Sequence, residues 1–181
     1  KSHTQKKVKK KKLNKNKVVW ISKIKKIKKN PSIFIANEFF DSITIKQFRK
    51  KENLWVERFV NLKDPQNAFF NEKKIDIKKT EKKISFKISQ NQNFIEYSEE
   101  GLSYLKDISK TIKKSRGGLL LIDYGYIHGK MKNTLRAISD HKFVNILDNI
   151  GKADITHNIN FDLFKKFIKQ IGGLDHKLTT Q

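Results

Sequence analysis

The sequence predicts an α/β fold with a mostly parallel sheet and an added β-hairpin. Two observations carry that expectation. The stretch Ser32–Asp41, SIFIANEFFD, holds a strand-length apolar run that stops at Asn37–Glu38. A second run, Leu119–Ile122 within GLLLIDYG, stops at Asp123 in the same way. Short, fully apolar strands that end in carboxylates are the pattern of a parallel sheet, whose ligands bind beyond the carboxyl ends of its strands.

The first 30 residues carry 14 lysines and no acid in a chain of formal charge +23. Residues 1–17 are read as a basic N-terminal segment, apart from a domain at 18–181. Such charge attracts phosphates without sequence preference. No clustering of arginine with aromatic residues accompanies it, which disfavours a nucleic-acid module and favours a solvated basic face. The absence of cysteine excludes disulfides and thiolate zinc sites. No apolar run reaches the roughly 18 residues of a membrane span, and no signal-peptide pattern is present.

Val18–Ile21 reads as a brief strand, and Ile24 with Ile27 as a single helical turn. Asn30–Pro31 delivers the chain into the first sheet strand. After Asp41, alternation through Ile43 and Ile45, a turn at Lys50–Asn53, and Leu54–Val60 predict a β-hairpin. Ile75/Ile77 and Ile84/Phe86/Ile88 alternate as short edge strands do. Ser98 is a helix N-cap with Glu99 and Glu100 in the first turn, and Leu102, Leu105, Ile108 and Ile112 share one helical face. Gly117–Gly118 ends that helix before the second carboxylate-terminated strand. Thr134 is read as the cap of a short helix through Ile138. Gly151–Asn160 is read as a loop displaying Asp154, Thr156 and His157. Asn160 caps a last helix striped with Leu163, Phe164, Phe167, Ile168 and Ile171, which Gly172–Gly173 terminates.

Glu38, Asp41 and Asp123 are the candidate catalytic residues, because acids at neighbouring strand ends are rigidly carried yet reach the crevice. The alternative role for Asn37, Glu38 and Asp41 is to satisfy turn backbone. His128, His141, His157 and His176 lack metal-ligand spacing, so no metal site is expected. Neither a Ser elbow nor a phosphate-cradling GxxxxGK[ST] loop occurs. No GxGxxG turn follows either strand, and no cofactor-binding residue is assigned.

Several ordered blocks carry a resemblance. Ile33–Phe48, IFIANEFFDSITIKQF, closely resembles the IANEFFDALPIxQF block of the MidA/NDUFAF7-like family of S-adenosylmethionine-dependent methyltransferases. WVER at Trp55–Arg58, GLLLIDYGY at Gly118–Tyr126, TLRAISDH at Thr134–His141, DITHNINF at Asp154–Phe161 and LTTQ at Leu178–Gln181 are similar to further blocks in the same order. Ser42–Ile43–Thr44 replaces the family's Ala-Leu-Pro, and Lys132–Asn133 its Gly-Asp.

The resemblance implies a partial Rossmann-like methyltransferase fold, with the chain an internal or C-terminal portion lacking the family's glycine-rich cofactor loop. It implies S-adenosyl-L-methionine as cofactor of the complete enzyme and protein-arginine N-methylation as the activity. A protein substrate such as a respiratory complex I subunit, and a complementing chain that supplies the missing half, follow as partners. Asn37, Glu38 and Asp41 would line the active-site edge, Asp123 and Tyr124 would flank the substrate, and Asp154, Thr156 and His157 would form an adjoining loop. A non-catalytic, partner-binding α/β fragment is the alternative. The expected location is the cytoplasm of a bacterium, with the mitochondrial matrix as the alternative.

Overall fold

The computed structural model describes residues 18–27, 30–64, 67–148, 150–172 and 174–180. The basic segment 1–17 and the second glycine of the Gly172–Gly173 pair lie outside them. The two carboxylate-terminated runs form β1 (Ser32–Asn37) and β6 (Gly117–Ile122), which pair in parallel from Ser32↔Gly117 to Asn37↔Ile122. Gly117 opens β6 at φ +124, and a Cβ there would lie 1.8 Å from the Ser32 carbonyl oxygen, so only glycine admits this close approach.

Between β1 and β6 the chain builds an antiparallel sheet. β2 (Lys46–Lys51) and β3 (Leu54–Asp64) form the expected hairpin, although Ile43–Ile45 lies outside it. β4 (Asn67–Ile75) continues from β3, and β5 (Phe94–Tyr97) adds on the other side of β2, for the order β4-β3-β2-β5. α1 (Ile77–Ile84) replaces the edge strands expected from Ile77 and Ile84. Their seven-residue spacing is two helical turns, and the Asp76 carboxylate caps the first by accepting the Lys78 amide at 3.0 Å. α2 (Glu99–Ser115) starts as expected, with the Ser98 hydroxyl accepting the Gly101 amide at 2.8 Å.

Downstream, β7 (Gly125–Tyr126) pairs in parallel with β11 (Ile159–Asn160). β8 (Arg136–Ser139) stands where a helix was expected after Thr134. Asp140 and His141 at φ +51 and +62 turn the chain back into β9 (Lys142–Val144), and such paired left-handed residues are the turn of a tight hairpin. β10 (Asp154–Thr156) pairs with the other edge of β8, so half of the stretch read as a loop, 154–156 with 159–160, is strand. α3 (Phe161–Gln170) follows, the Asn160 side chain accepting the Leu163 amide at 3.0 Å.

The expectation of a mostly parallel sheet is therefore corrected. Parallel pairing is confined to β1–β6 and β7–β11, while the four- and three-stranded sheets are antiparallel. Connectivity accounts for it: the parallel pairs are joined by long crossovers, 38–116 with α2 at its end for β1–β6 and 127–158 for β7–β11. By contrast, β2–β3, β3–β4 and β8–β9 are hairpins, and β5 and β10 return antiparallel to β2 and β8. Val18–Ile21 forms no strand and is exposed, with Val19 82% accessible.

Phe40, Phe48, Ile95, Leu105 and Ile159 are the largest wholly buried side chains, so the core lies where the turn after β1, the β2–β5 side of the four-stranded sheet, the β7–β11 pair, α2 and α3 meet. One face of the β1–β6 pair joins that core through Ala36, Leu119 and Leu121. The other face is open, with Ile33 80%, Ile35 70% and Leu120 53% accessible.

Candidate functional site

Both carboxylate-bearing strand ends lie side by side. The Glu38 amide donates to the Ile122 carbonyl at 2.9 Å, extending the parallel ladder by one bond past Asn37. Glu38 then turns the chain at φ +42, a left-handed conformation that is uncommon outside glycine. Its side chain is exposed and bonds to no described residue.

The turn that follows is held from inside. Phe40 is buried and packs edge-on against Phe39 and against Phe164 of α3, with ring centroids 5.2 Å apart in each case. From β6, Asp123 Oδ2 accepts the Phe40 amide at 2.9 Å and the Asp41 amide at 3.3 Å, while Oδ1 accepts the Tyr124 amide at 2.9 Å. Asp123 is thus a clamp across two neighbouring strand ends. Burial pushes its pKa above the usual carboxylate value of 3.8 and the nearby Asp41 charge adds to this, against the three amides.

Asp41 is 9% accessible. Its Oδ2 accepts the Thr156 hydroxyl at 3.0 Å, and its carbonyl accepts the His157 amide at 3.1 Å. Its Oδ1 is buried with no partner among the described residues. An orphaned carboxylate oxygen is costly to hide, so it marks a place where a donor from outside would be stabilised. The site's negative corner is built from Glu38, Asp41 and Asp123 in a chain that is otherwise strongly basic.

The other expected residues divide. Thr156 ends β10 and reaches Asp41. His157 is 6% accessible instead of displayed, and its Nε2 lies 3.2 Å from the Ile43 carbonyl. A carbonyl can only accept, so Nε2 carries the proton and donates, tying β10 to the turn after β1. Tyr124 is 64% accessible beside Asp123, and its carbonyl accepts the Ile159 amide at 2.8 Å. Asn37 is exposed at the end of β1. Asp154 is exposed at the opposite end of β10 from Thr156, with no bond to any described side chain.

A second polar cluster went unread in the sequence. Glu96 is 5% accessible on β5, and its carboxylate accepts the Gln47 side-chain amide at 2.6 Å, the Thr134 amide at 3.1 Å and the Thr134 hydroxyl. Thr134 in turn accepts the Asn158 amide at 2.9 Å, two residues from Thr156. The signal available was an acid inside the apolar run Phe94–Tyr97, which a buried strand tolerates only with dedicated donors.

Among the described residues no group of three or more His, Asp or Glu side chains converges as a metal site. The acidic corner suits a cationic or amine-bearing group. No glycine follows β1 or β6 directly to let a nucleoside or amino-acid moiety approach the backbone, so these residues do not by themselves fit S-adenosylmethionine.

Residues 1–179 match a family described as "Putative S-adenosyl-L-methionine-dependent methyltransferase". The chain is 30% identical over 154 residues to the protein arginine methyltransferase NDUFAF7 homolog, mitochondrial, of Caenorhabditis elegans, covering 84% of this chain and 36% of that protein. It is 26% identical over 149 residues to the human NDUFAF7, also named mitochondrial, covering 82% and 33%. It therefore spans about a third of the length of these curated relatives. A Burkholderia thailandensis protein crystallised with S-adenosyl-homocysteine superposes with a TM-score of 0.62 at 16% identity, covering 86% of this chain and 41% of that one. A native structure from the same organism superposes at 0.68 and 14%, covering 92% and 47%. These likenesses show an open, partial Rossmann-like methyltransferase fold. The expected bacterial, cytoplasmic location is corrected, because the curated relatives carry mitochondrial names.

Proposed function

Since the chain belongs to this family of S-adenosyl-L-methionine-dependent methyltransferases, we propose that it forms the acceptor side of a protein-arginine N-methyltransferase. The observation that carries the reading is the acidic corner past β1 and β6. There, among the described residues, the Glu38 side chain is unengaged and Asp41 Oδ1 is buried without a donor beside the Asp123 clamp. A guanidinium is planar and always charged, and it offers paired N–H groups to carboxylates. Glu38 would receive that fork and Asp41 a further N–H, while Asp123 positions the turn that carries both. Tyr124 and Asn37 would flank the acceptor. Asp154, Thr156 and His157 would shape the adjoining wall, with Thr156 and His157 acting through Asp41.

S-adenosyl-L-methionine would supply the methyl group in the complete protein, held largely by surface beyond these residues. The chain's own contribution is orientation: a held acceptor nitrogen needs little beyond alignment. The names of the relatives, protein arginine methyltransferases called mitochondrial, support a mitochondrial location and a protein substrate there; the family resemblance makes a respiratory complex I subunit the substrate to try. In full-length protein, Glu38→Gln should lower methyl transfer to an arginine peptide by about a hundredfold with donor binding retained. An unchanged rate would overturn the assignment.

The open face of Ile33, Ile35 and Leu120 favours a second, compatible reading. Apolar sheet faces of this kind are normally covered, so further polypeptide, on this chain or a complementing one, would complete the sheet. Without it the fragment would bind partners without catalysing.

A further inference from the structure

The chain has 37 lysines and only four arginines, Arg49, Arg58, Arg116 and Arg136. Two of the four, Arg58 and Arg136, line one cavity of about 550 Å³ between β3–β4 and the β8–β9 hairpin. Its remaining walls include Phe70, Leu135, Phe143 and Ile146, with neither a lysine nor an acid among them. A general lysine bias does not account for such a lining.

Both guanidiniums are set against aromatic faces. Arg58 lies 3.5 Å from the centroid of the Phe70 ring, and Arg136 lies 5.4 Å from that of Phe143. Arg58 is further oriented by a 3.5 Å contact from Nη1 to the Gln47 side-chain oxygen, and Gln47 is itself fixed by Glu96. Arg49, by contrast, is paired with Glu72 at 2.7 Å, whereas no carboxylate among the described residues pairs with Arg58 or Arg136. A guanidinium stacked on a ring presents its N–H edge outward, ready for a planar oxyanion.

We propose that this cavity is a docking site for an acidic side chain of a partner protein, an Asp or Glu flanked by apolar residues. Charge complementarity selects the carboxylate, and the aromatic and aliphatic walls select its neighbours. A nucleic-acid backbone would instead be tracked by lysines, such as Lys166 and Lys169 at the larger cavity between α1 and α3. Arg136 stands opposite Thr156 in the β8–β10 register, and Thr156 holds Asp41. A segment docked here therefore lies one strand from the acidic corner. The inference does not rest on methyl transfer, because binding is read without turnover.

The test is fluorescence anisotropy of the full chain with a labelled ten-residue peptide of alternating Glu and Leu, at about 0.15 M salt. The Gln-for-Glu peptide should bind at least about tenfold more weakly. Arg136→Gln, at an exposed position whose side chain makes no hydrogen bond among the described residues, should cost about fivefold or more, and Arg136→Lys should only partly restore binding. Lys166→Gln with Lys169→Gln should leave affinity unchanged. Equal binding of the Gln peptide, wild-type affinity in Arg136→Gln, or an equal loss in the lysine variant would overturn the proposal.

Discussion

Asp123 and Phe40 are 83 residues apart in the chain and are joined by a 2.9 Å hydrogen bond from the Phe40 amide to Asp123 Oδ2. That contact, with the 3.3 Å bond from the Asp41 amide, ties the end of β6 to the turn that leaves β1. Asp123→Asn keeps the shape but puts an NH2 group against an amide donor at one of its two ends. It should destabilise the chain by about 1–3 kcal/mol in urea unfolding.

The same residue sets a pH signature. Folding raises the Asp123 pKa above 3.8, through burial first and the Asp41 charge second. The folded state therefore holds this proton more tightly than the unfolded chain does. Its contribution is fully present below pH 3.8 and is lost as pH rises through the folded pKa. In Asp123→Asn this downward component of the stability profile should disappear, which a series of urea midpoints across the mildly acidic range would read.

The corner residue separates stability from chemistry. Glu38 holds φ +42, where a side chain costs about 1 kcal/mol and glycine does not. Glu38→Gly should raise unfolding free energy by about 0.5–1 kcal/mol, the relief of strain exceeding the added chain entropy. It should at the same time remove binding of an arginine peptide. A destabilised Glu38→Gly would mean that the side chain, though exposed, is a structural part of the turn.

What could be read from the residues, and what could not, follows the range of the interactions. Ser98, Asn160 and the runs at Ile33 and Leu119 carry their structural reasons within a few positions, and each formed the expected element. Asp41 was legible as an acid at a strand end. That Thr156 and His157 would close on it depends on β10 pairing with β8, a contact spanning 115 residues between Thr156 and Asp41. The short helix expected at Thr134 failed for a similar cause. Leu135 and Ile138 have helical spacing, but Arg136–Ser139 finds two strand neighbours, and pairing on both edges outweighs a weak local preference. Ile77–Ile84 went the other way, since its capping Asp76 and lysine-rich exposed face suit a helix better than an edge strand.

Glu96 is the buried acid on which the second polar cluster depends. Its carboxylate receives the Gln47 amide, the Thr134 amide and the Thr134 hydroxyl, so every oxygen lone pair in use faces a donor. Glu96→Gln would turn one of those oxygens into a donor facing donors. We expect a loss of about 2–3 kcal/mol, against less than half that for Thr134→Ser, which keeps both hydrogen bonds of the hydroxyl and that of the amide. Equal losses in the two variants would show that the Thr134 methyl group, not the carboxylate network, stabilises the join between β5 and β8.

The outer face of β1 and β6 gives the last prediction. Ile33 and Ile35 alternate with Phe34 and Ala36, so their side chains leave the core and are 80% and 70% accessible. Substituting residues this open removes little buried area, so Ile33→Lys with Ile35→Lys should change folding stability by less than about 0.5 kcal/mol. The same double substitution places two charges on an apolar patch beside a strand edge that is unpaired among the described residues, which is how natural sheets discourage edge-to-edge association. Sedimentation at rising protein concentration should therefore show self-association in the wild-type chain and a mainly monomeric double variant. If the variant instead unfolds, β1 is covered within this chain by residues packed against Ile33 and Ile35, and the requirement for further polypeptide on that face falls with it.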